Sequence, residues 1–212
     1  MRQTFLFFCL LASFLRAEMS EPYRSLKLLP FDGRGWYINQ EAMGKLFKER
    51  QIAVVVEVGC WLGESTRHIA SMLPPGGKLY AVDHWYGSPG WRDNADFNKE
   101  YADVYQHFLS NVVHRELTDV IIPIRMYSDE ASRLLDVKPD LVYLDGDHAF
   151  DAIYNDLVCW YPFVKGHGIL AGDDWATSAE VRAAVQKFAE ENNLWIYTYQ
   201  NFWRYEEPWE KR

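Results

Sequence analysis

The sequence predicts a doubly wound α/β fold whose seven-stranded sheet is mostly parallel and ends in an antiparallel hairpin. Three observations predict it. Short β-branched runs alternate with stretches of helical spacing from about residue 38 onward, the pattern of a parallel sheet covered on both faces. The first run, IAVVVEV at 52–58, is apolar except for Glu57, as expected of a strand buried on both sides. Glycine-bearing or acidic motifs follow several of these runs directly, and in such sheets ligands bind at the carboxyl ends of the strands.

Each element has its own justification. Residues 18–35 contain Pro22, Pro30, Gly33 and Gly35 and read as an extended lead-in. Ile38, Ala42, Met43, Leu46 and Phe47 keep helical spacing behind Asn39, a capping residue type. Beyond the strand at 52–58, Thr66, Ile69, Ala70 and Leu73 mark a helix that Pro74-Pro75-Gly76-Gly77 stops, and KLYAVD at 78–83 is the second strand. Residues 84–100 are irregular; Trp85, Tyr86, Gly87, Gly90 and Trp91 there suit a lid over a site. Phe97, Tyr101, Val104, Tyr105, Phe108 and Val112 form the next helical stripe. VIIPI at 120–124 is a third strand, with Pro123 pointing to an edge or a bulge. A short helix over about 129–136 precedes LVYLD at 141–145. Phe150, Ile153, Tyr154, Leu157, Val158 and Tyr161 make a strong helical stripe, and GILAGD at 168–173 is the fifth strand. Thr177 and Glu180 form a capping box ahead of Val181, Ala184, Val185 and Phe188. Strands near 194–199 and 201–206 close the chain.

Composition narrows the function. The 212 residues carry 22 Lys plus Arg against 30 Asp plus Glu, a net charge of −8. That balance argues against a nucleic-acid partner, which needs a basic face to displace counterions. Hydrophobic residues make up 49% and charged residues 25%, enough for a sizeable core. Aromatics reach 16%, with nine Trp. Trp61, Trp85, Trp91 and Trp175 fall in the loops of the expected site, with Trp36 near them, while Trp160, Trp195 and Trp203 read as packing residues. Cys60 and Cys159 sit singly in apolar segments and show no metal or disulfide spacing.

Met1–Ala17 reads as a signal peptide or short anchor: Arg2, an apolar run from Thr4 to Leu15, and small Ala17. The run is short of the roughly 20 apolar residues of a stable transmembrane span. Export or membrane association is the expectation, and a cytoplasmic location if translation starts at Met19.

The chemistry concentrates at strand ends. The first strand ends in VEVGCWLGEST, with Glu57, Gly59, Gly63 and Ser65. Gly59 and Gly63 allow a tight turn and close ligand approach. Trp61 stands where a dinucleotide fingerprint needs its second glycine, and Glu57 would repel phosphate, so the loop suits a cationic or neutral ligand. The second strand ends in Asp83, placed to accept hydrogen bonds from both hydroxyls of a ribose, and Trp85 beyond it could stack on a base. The fourth ends in DGDH (Asp145, Gly146, Asp147, His148) and the fifth in GDDW (Asp173, Asp174, Trp175). Adjacent strands would bring these two tips together, and clustered carboxylates repel unless a cation or protons intervene. Oxygen ligands favour Mg²⁺, Mn²⁺ or Ca²⁺.

Together, VEVGCWLGEST, VDHW, DLVYLDGDHAFDAIYNDL and GILAGDDW resemble the class I S-adenosylmethionine-dependent methyltransferases, with a Rossmann-like fold, over about residues 36–206. Within them the likeness is greatest to methyltransferase family 24, related to macrocin-type sugar O-methyltransferases and cephalosporin hydroxylase-like proteins. The resemblance implies a methyltransferase domain over residues 36–212. In it, Glu57, Gly59, Gly63 and Ser65 would shape the pocket for the methionine part of S-adenosylmethionine. Asp83 would hold the ribose and Ser128 would lie by the adenine. Asp145, Asp173 and Asp174 would bind Mg²⁺ or another hard divalent cation. Trp61, His84 and Asp145 are counted with the cofactor-binding residues. Asp147 resembles the general base of the sugar enzymes, and His148 is a second candidate. The Lys base and Asn metal ligand of catechol-type relatives are missing, Asp174 standing at the Asn position, so a sugar-like hydroxylated acceptor is expected. The expected mechanism is metal-assisted O-methyl transfer to a small molecule. A hydroxylase-like enzyme on the same fold, or a non-enzymatic exported binding module, are the alternatives. Oligomeric state stays open, a homo-oligomer included.

Overall fold

The computed structural model describes residues 19–87 and 103–206. Its sheet runs β3-β2-β1-β4-β5-β7-β6. The strands are β1 (Val54–Val58), β2 (Lys78–Asp83), β3 (Ile121–Arg125), β4 (Leu141–Leu144), β5 (Ile169–Gly172), β6 (Trp195–Tyr199) and β7 (Phe202–Glu206). The first five pair in parallel, and β7 runs antiparallel between β5 and β6. The helices are α1 (Gln40–Glu49), α2 (Glu64–Ser71), α3 (Val104–His114), α4 (Ser128–Leu134), α5 (Phe150–Val164) and α6 (Ala179–Asn192). The expected doubly wound sheet with a terminal antiparallel hairpin is therefore present, and Pro123 lies on an edge strand.

Two-residue periodicity splits the core into two halves. Val55, Leu79, Leu141 and Tyr143 face the half that holds Met43, Leu46 and Phe108. Val56, Val82, Val142 and Leu144 face the half that holds Leu157, Trp160 and Phe188. Strand order reverses between β1 and β4, which is where a crevice opens in folds of this kind. The lead-in is bolted to α3: Leu29 N donates to Ser110 Oγ (3.0 Å) and Asp32 N to Asn111 Oδ1 (2.9 Å). Farther on, Tyr37 N donates to Glu64 Oε2 (3.1 Å), which brings Trp36 to the mouth of the crevice. Among the described residues, no helix is long and apolar enough to cross a membrane.

Several local expectations are corrected. Asn39 makes no side-chain cap; its Nδ2 donates to Tyr143 Oη (3.0 Å) instead. The capping box is absent because Ser178 caps α6, accepting from Val181 N (3.2 Å). Thr177 donates to Asp174 Oδ1, and Glu180 Oε2 accepts from Phe150 N. Trp195 is 52% exposed on edge strand β6 rather than packed. The lid expectation and the Phe97–Tyr101 start of the α3 stripe fall mostly in 88–102, and the amino-terminal expectation in 1–18; these lie outside the described residues.

Candidate active site

A cavity of about 870 Å³ opens over the carboxyl ends of β1, β2, β4 and β5. Its described lining includes carboxylates from three of those strand ends and from α4 and α5, but neither lysine nor arginine.

The loop after β1 forms one wall. Gly59 has φ +85°, and a Cβ there would lie 2.1 Å from the Asp145 carbonyl oxygen. Gly63 has φ +80°, and a Cβ there would lie 2.9 Å from the Phe108 ring. The sequence suggested that ligand approach requires these glycines; the neighbours that demand them are protein. Asp83 organises the same loop. Its Oδ2 accepts from Cys60 N (2.9 Å) and Trp61 N (3.0 Å), and its Oδ1 from Trp85 N (2.6 Å). A carboxylate has about four acceptor sites, so Asp83 keeps roughly one for a ribose hydroxyl.

Trp61 (φ +46°) lines the cavity with its ring stacked on Trp36, centroids 4.3 Å apart. Trp85, expected to stack on a base, is 6% exposed and packs against Tyr105 and Phe108 while Nε1 donates to Trp61 O (2.8 Å). His84 lines the cavity, its ring stacked on Tyr86 and its Nδ1 accepting from Tyr86 N. Trp175 packs against the α5–α6 half of the core and is not part of the lining.

Glu57 departs most from expectation. It lies on the Val55 face of β1, paired with Ala81 and Tyr143, fully buried behind the cavity wall. Burial pushes its carboxyl up to about 7. Ser65, Thr66 and Cys60 lie close enough to lower it somewhat, yet neither oxygen has a hydrogen bond of ordinary geometry. Ser65 itself lines the cavity.

The tips of β4 and β5 meet because these strands pair in register. Donor atoms of Asp145, His148 and Asp174 come within 4.8 Å of one another. His148 Nε2 lies 2.9 Å from Asp174 Oδ2, and this contact raises the imidazole pKa. Burial raises Asp174, but the hydrogen bonds from His148 and Thr177 prevail and hold it below its ordinary value. Asp174 also adopts φ +64°, a left-handed backbone uncommon for a non-glycine residue and found where sites are built. Burial, then Asp173 and Asp174, push Asp145 well above the usual carboxylate range. Asp173 lies outside this three-group set: its Oδ1 accepts from Asp174 N (2.6 Å), and Asn39 and Tyr143 lie close enough to temper the rise that burial gives its pKa. Asp147 Oδ1 accepts from Ala149 N (2.9 Å) at the start of α5.

Ser128 opens α4 on the cavity wall and accepts from Trp160 Nε1 (2.8 Å). Beside it stands Asp156, which the strand-end reasoning missed. Its signal was available, as a charged residue among Ile153, Leu157 and Trp160 on the buried face of α5. Asn201, also missed, accepts from Ala176 N and donates to Thr177 Oγ1, bracing the Asp174 loop.

A family model described as a methyltransferase domain, family 24, matches residues 56–175. No curated protein matches the chain by sequence. Three solved structures are similar. An O-methyltransferase from Bacillus cereus in complex with S-adenosylhomocysteine is 14% identical, with a TM-score of 0.58, covering 86% of this chain and 86% of that one. TomG, an O-methyltransferase from Streptomyces achromogenes involved in tomaymycin synthesis and in complex with S-adenosylmethionine, is 16% identical, with a TM-score of 0.57 and coverage of 84% and 82%. CalS11, the TDP-rhamnose 3′-O-methyltransferase of calicheamicin biosynthesis, is 13% identical, with a TM-score of 0.55 and coverage of 80% and 79%. At such identities the likeness is one of fold.

Proposed function

The chain belongs to methyltransferase family 24, and on that premise we propose that it moves the methyl group of S-adenosylmethionine to a hydroxyl of a small, sugar-like acceptor with the help of a divalent cation. One observation carries the reading: a single cavity joins the glycine loop after β1 to the Asp145, His148 and Asp174 donors. An acidic lining without lysine or arginine suits a sulfonium and a metal ion, both cationic, and its volume falls in the range of small-ligand sites. The neighbours TomG and CalS11 are O-methyltransferases by name, and CalS11 acts on a sugar nucleotide by name, which supports the acceptor class.

The donor set fits a cation. Asp145 is held well above the usual carboxylate range by burial and by its acidic neighbours, a strain that a positive charge would relieve. Asp145, Asp174 and His148 would hold the ion, and when bound it lowers the pKa of a coordinated hydroxyl. Carboxylates accept Mg²⁺, while the imidazole tilts the preference toward Mn²⁺. His148 is engaged with Asp174, so Asp147 is the better proton acceptor. As the hydroxyl proton passes to Asp147, the oxygen forms its bond to the methyl carbon. The carbon–sulfur bond breaks in line and its electron pair stays on sulfur, leaving the thioether. Holding the two reactants in that line supplies much of the rate.

Calorimetric titration with S-adenosylhomocysteine, with and without Mg²⁺ or Mn²⁺, tests the reading. Saturable one-site binding is expected, and no heat of binding under any of these conditions would overturn it.

A further inference from the structure

The rim of the cavity carries two large apolar side chains from the lead-in, Trp36 and Ile38, which are 65% and 51% exposed. The Trp36 ring lies on that of Trp61, with the planes 17° from parallel. Holding an indole in water is unfavourable, and adjoining exposed apolar side chains at a cavity mouth mark a binding surface.

The stacked pair is held rigidly. Trp61 has φ +46°, a backbone conformation rare for a bulky residue, and is fixed at both ends. Its N donates to Asp83 Oδ2 (3.0 Å), and its O accepts from Trp85 Nε1 (2.8 Å). Trp36 is set by its two neighbours, both against Glu64. A Cβ on Gly35 would strike the Glu64 carboxylate, and Tyr37 N donates to Glu64 Oε2 (3.1 Å). Buried Asn111 ties the two segments together, its Nδ2 donating to Asp32 O and to Leu62 O (2.8 Å each). The lead-in and the glycine loop thus form one preorganised unit, and an aromatic surface that is already ordered loses little entropy when a ligand settles on it.

The surroundings define what suits this surface. The same cavity holds the Asp145, His148 and Asp174 donors, with neither lysine nor arginine in its described lining. An anionic ligand would meet repulsion there. A planar aromatic acceptor gains most when both of its faces are covered, and a ring standing at the open rim covers one. A pyranose has one face of C–H bonds and a rim of hydroxyls. Its C–H hydrogens, polarised by neighbouring oxygens, match the negative face of an indole. Its hydroxyls stay in water or reach the carboxylates.

We propose that Trp36 is the specificity-determining platform for the acceptor, and that the acceptor is the pyranose ring of an uncharged glycoside laid with its C–H face on the indole. This rests on the reading that the cavity is a site of O-methyl transfer.

The test is ligand-observed NMR titration of the full chain in the presence of S-adenosylhomocysteine and Mg²⁺, after binding of S-adenosylhomocysteine itself has been measured. The probes are methyl β-D-glucopyranoside and methyl α-L-rhamnopyranoside, their acyclic counterparts glucitol and rhamnitol, the anomeric phosphate of glucose, and catechol. At least one glycoside is expected to bind about fivefold more tightly than its acyclic counterpart, the phosphate and catechol, with saturation transferred chiefly to the C–H protons of one ring face. Trp36→Ala is expected to weaken that glycoside about tenfold and to erase its advantage over the acyclic compound, while Trp36→Phe keeps most of the advantage. A general disturbance of the fold would weaken ring and chain alike and would not be rescued by phenylalanine. Tightest binding by catechol or by the phosphate, or a Trp36→Ala protein that keeps the ring preference, would overturn the proposal. If S-adenosylhomocysteine binds and neither glycoside does, this proposal falls alone. If S-adenosylhomocysteine fails to bind, the functional reading falls and this proposal with it.

Discussion

Glu57 is the residue at which sequence position and physical environment part most clearly. The motif places it at the mouth of a ligand site, but strand parity puts it on the Val55 face, fully buried between β2 and β4. Its folded-state pKa of about 7 stands above the ordinary glutamate value, with burial the main cause. The sign follows from proton linkage. Between about pH 4.5 and 7 the folded state binds more protons than the unfolded one, so unfolding free energy falls as pH rises through that window. The stabilisation is fully present at the acid end and lost by neutrality. Glu57→Gln removes the buried charge and keeps the shape. It should stabilise the protein by up to about 3 kcal/mol at pH 8, an upper limit because a tenfold change in proton affinity between folded and unfolded chains is worth roughly 1.4 kcal/mol, and by much less at pH 5. Denaturant unfolding of variant and wild type at both pH values checks this, and taking the difference cancels the parallel contribution of Asp156. A variant no more stable than wild type at pH 8 would refute the burial argument.

At the scale of elements, the loop after β1 is held by protein contacts before any ligand arrives. Gly59→Ala would place a Cβ 2.1 Å from a backbone oxygen at φ +85°. With backbone on both sides nothing can yield cheaply, so a loss above about 3 kcal/mol is expected in thermal or denaturant unfolding. Asp83→Ala would leave three backbone amides without their acceptor, at about 1 kcal/mol or more apiece. It should lower both stability and S-adenosylhomocysteine affinity, whereas loss of affinity with unchanged stability would show that Asp83 serves the ligand alone. These two residues also mark how far the sequence was legible. Strands, helices and the meeting of DGDH with GDDW came from local periodicity and strand order, which short-range patterns encode. What those patterns could not encode were partners distant in the chain. Gly59 answers to Asp145, Asn39 to Tyr143, and Thr177 to Asp174 rather than to a helix amide. Asp173, expected at the metal, also has Asn39 and Tyr143 as neighbours, and the hydrogen bond between those two comes from residues 104 positions apart in the chain.

Across the whole molecule, the net charge of −8 is not spread evenly, since acids from β2, β4, β5, α4 and α5 converge on one cavity with no lysine or arginine in its described lining. That concentration stores electrostatic repulsion that a bound cation should release. A ligand that binds only the folded state at about 100 times its dissociation constant stabilises by about 2.7 kcal/mol, or roughly 5–10 °C in melting temperature for a chain of this size. Mn²⁺ is therefore expected to raise the melting temperature saturably, Mg²⁺ to a smaller extent, and EDTA to reverse both. Ligation needs an unprotonated imidazole, and Asp174 raises the His148 pKa, so the gain in melting temperature should grow as pH rises from 6 to 8. Asp145→Asn and Asp174→Asn should each remove most of that gain, while His148→Ala should narrow the gap between Mn²⁺ and Mg²⁺ by deleting the softer donor. Sodium chloride at matched ionic strength separates site binding from general screening, which would weaken all of the acidic repulsions alike. An equal rise in melting temperature with sodium chloride, or a rise that survives both aspartate substitutions, would remove the metal from the proposed mechanism and leave proton sharing among the carboxyls as the way this cavity tolerates its charge.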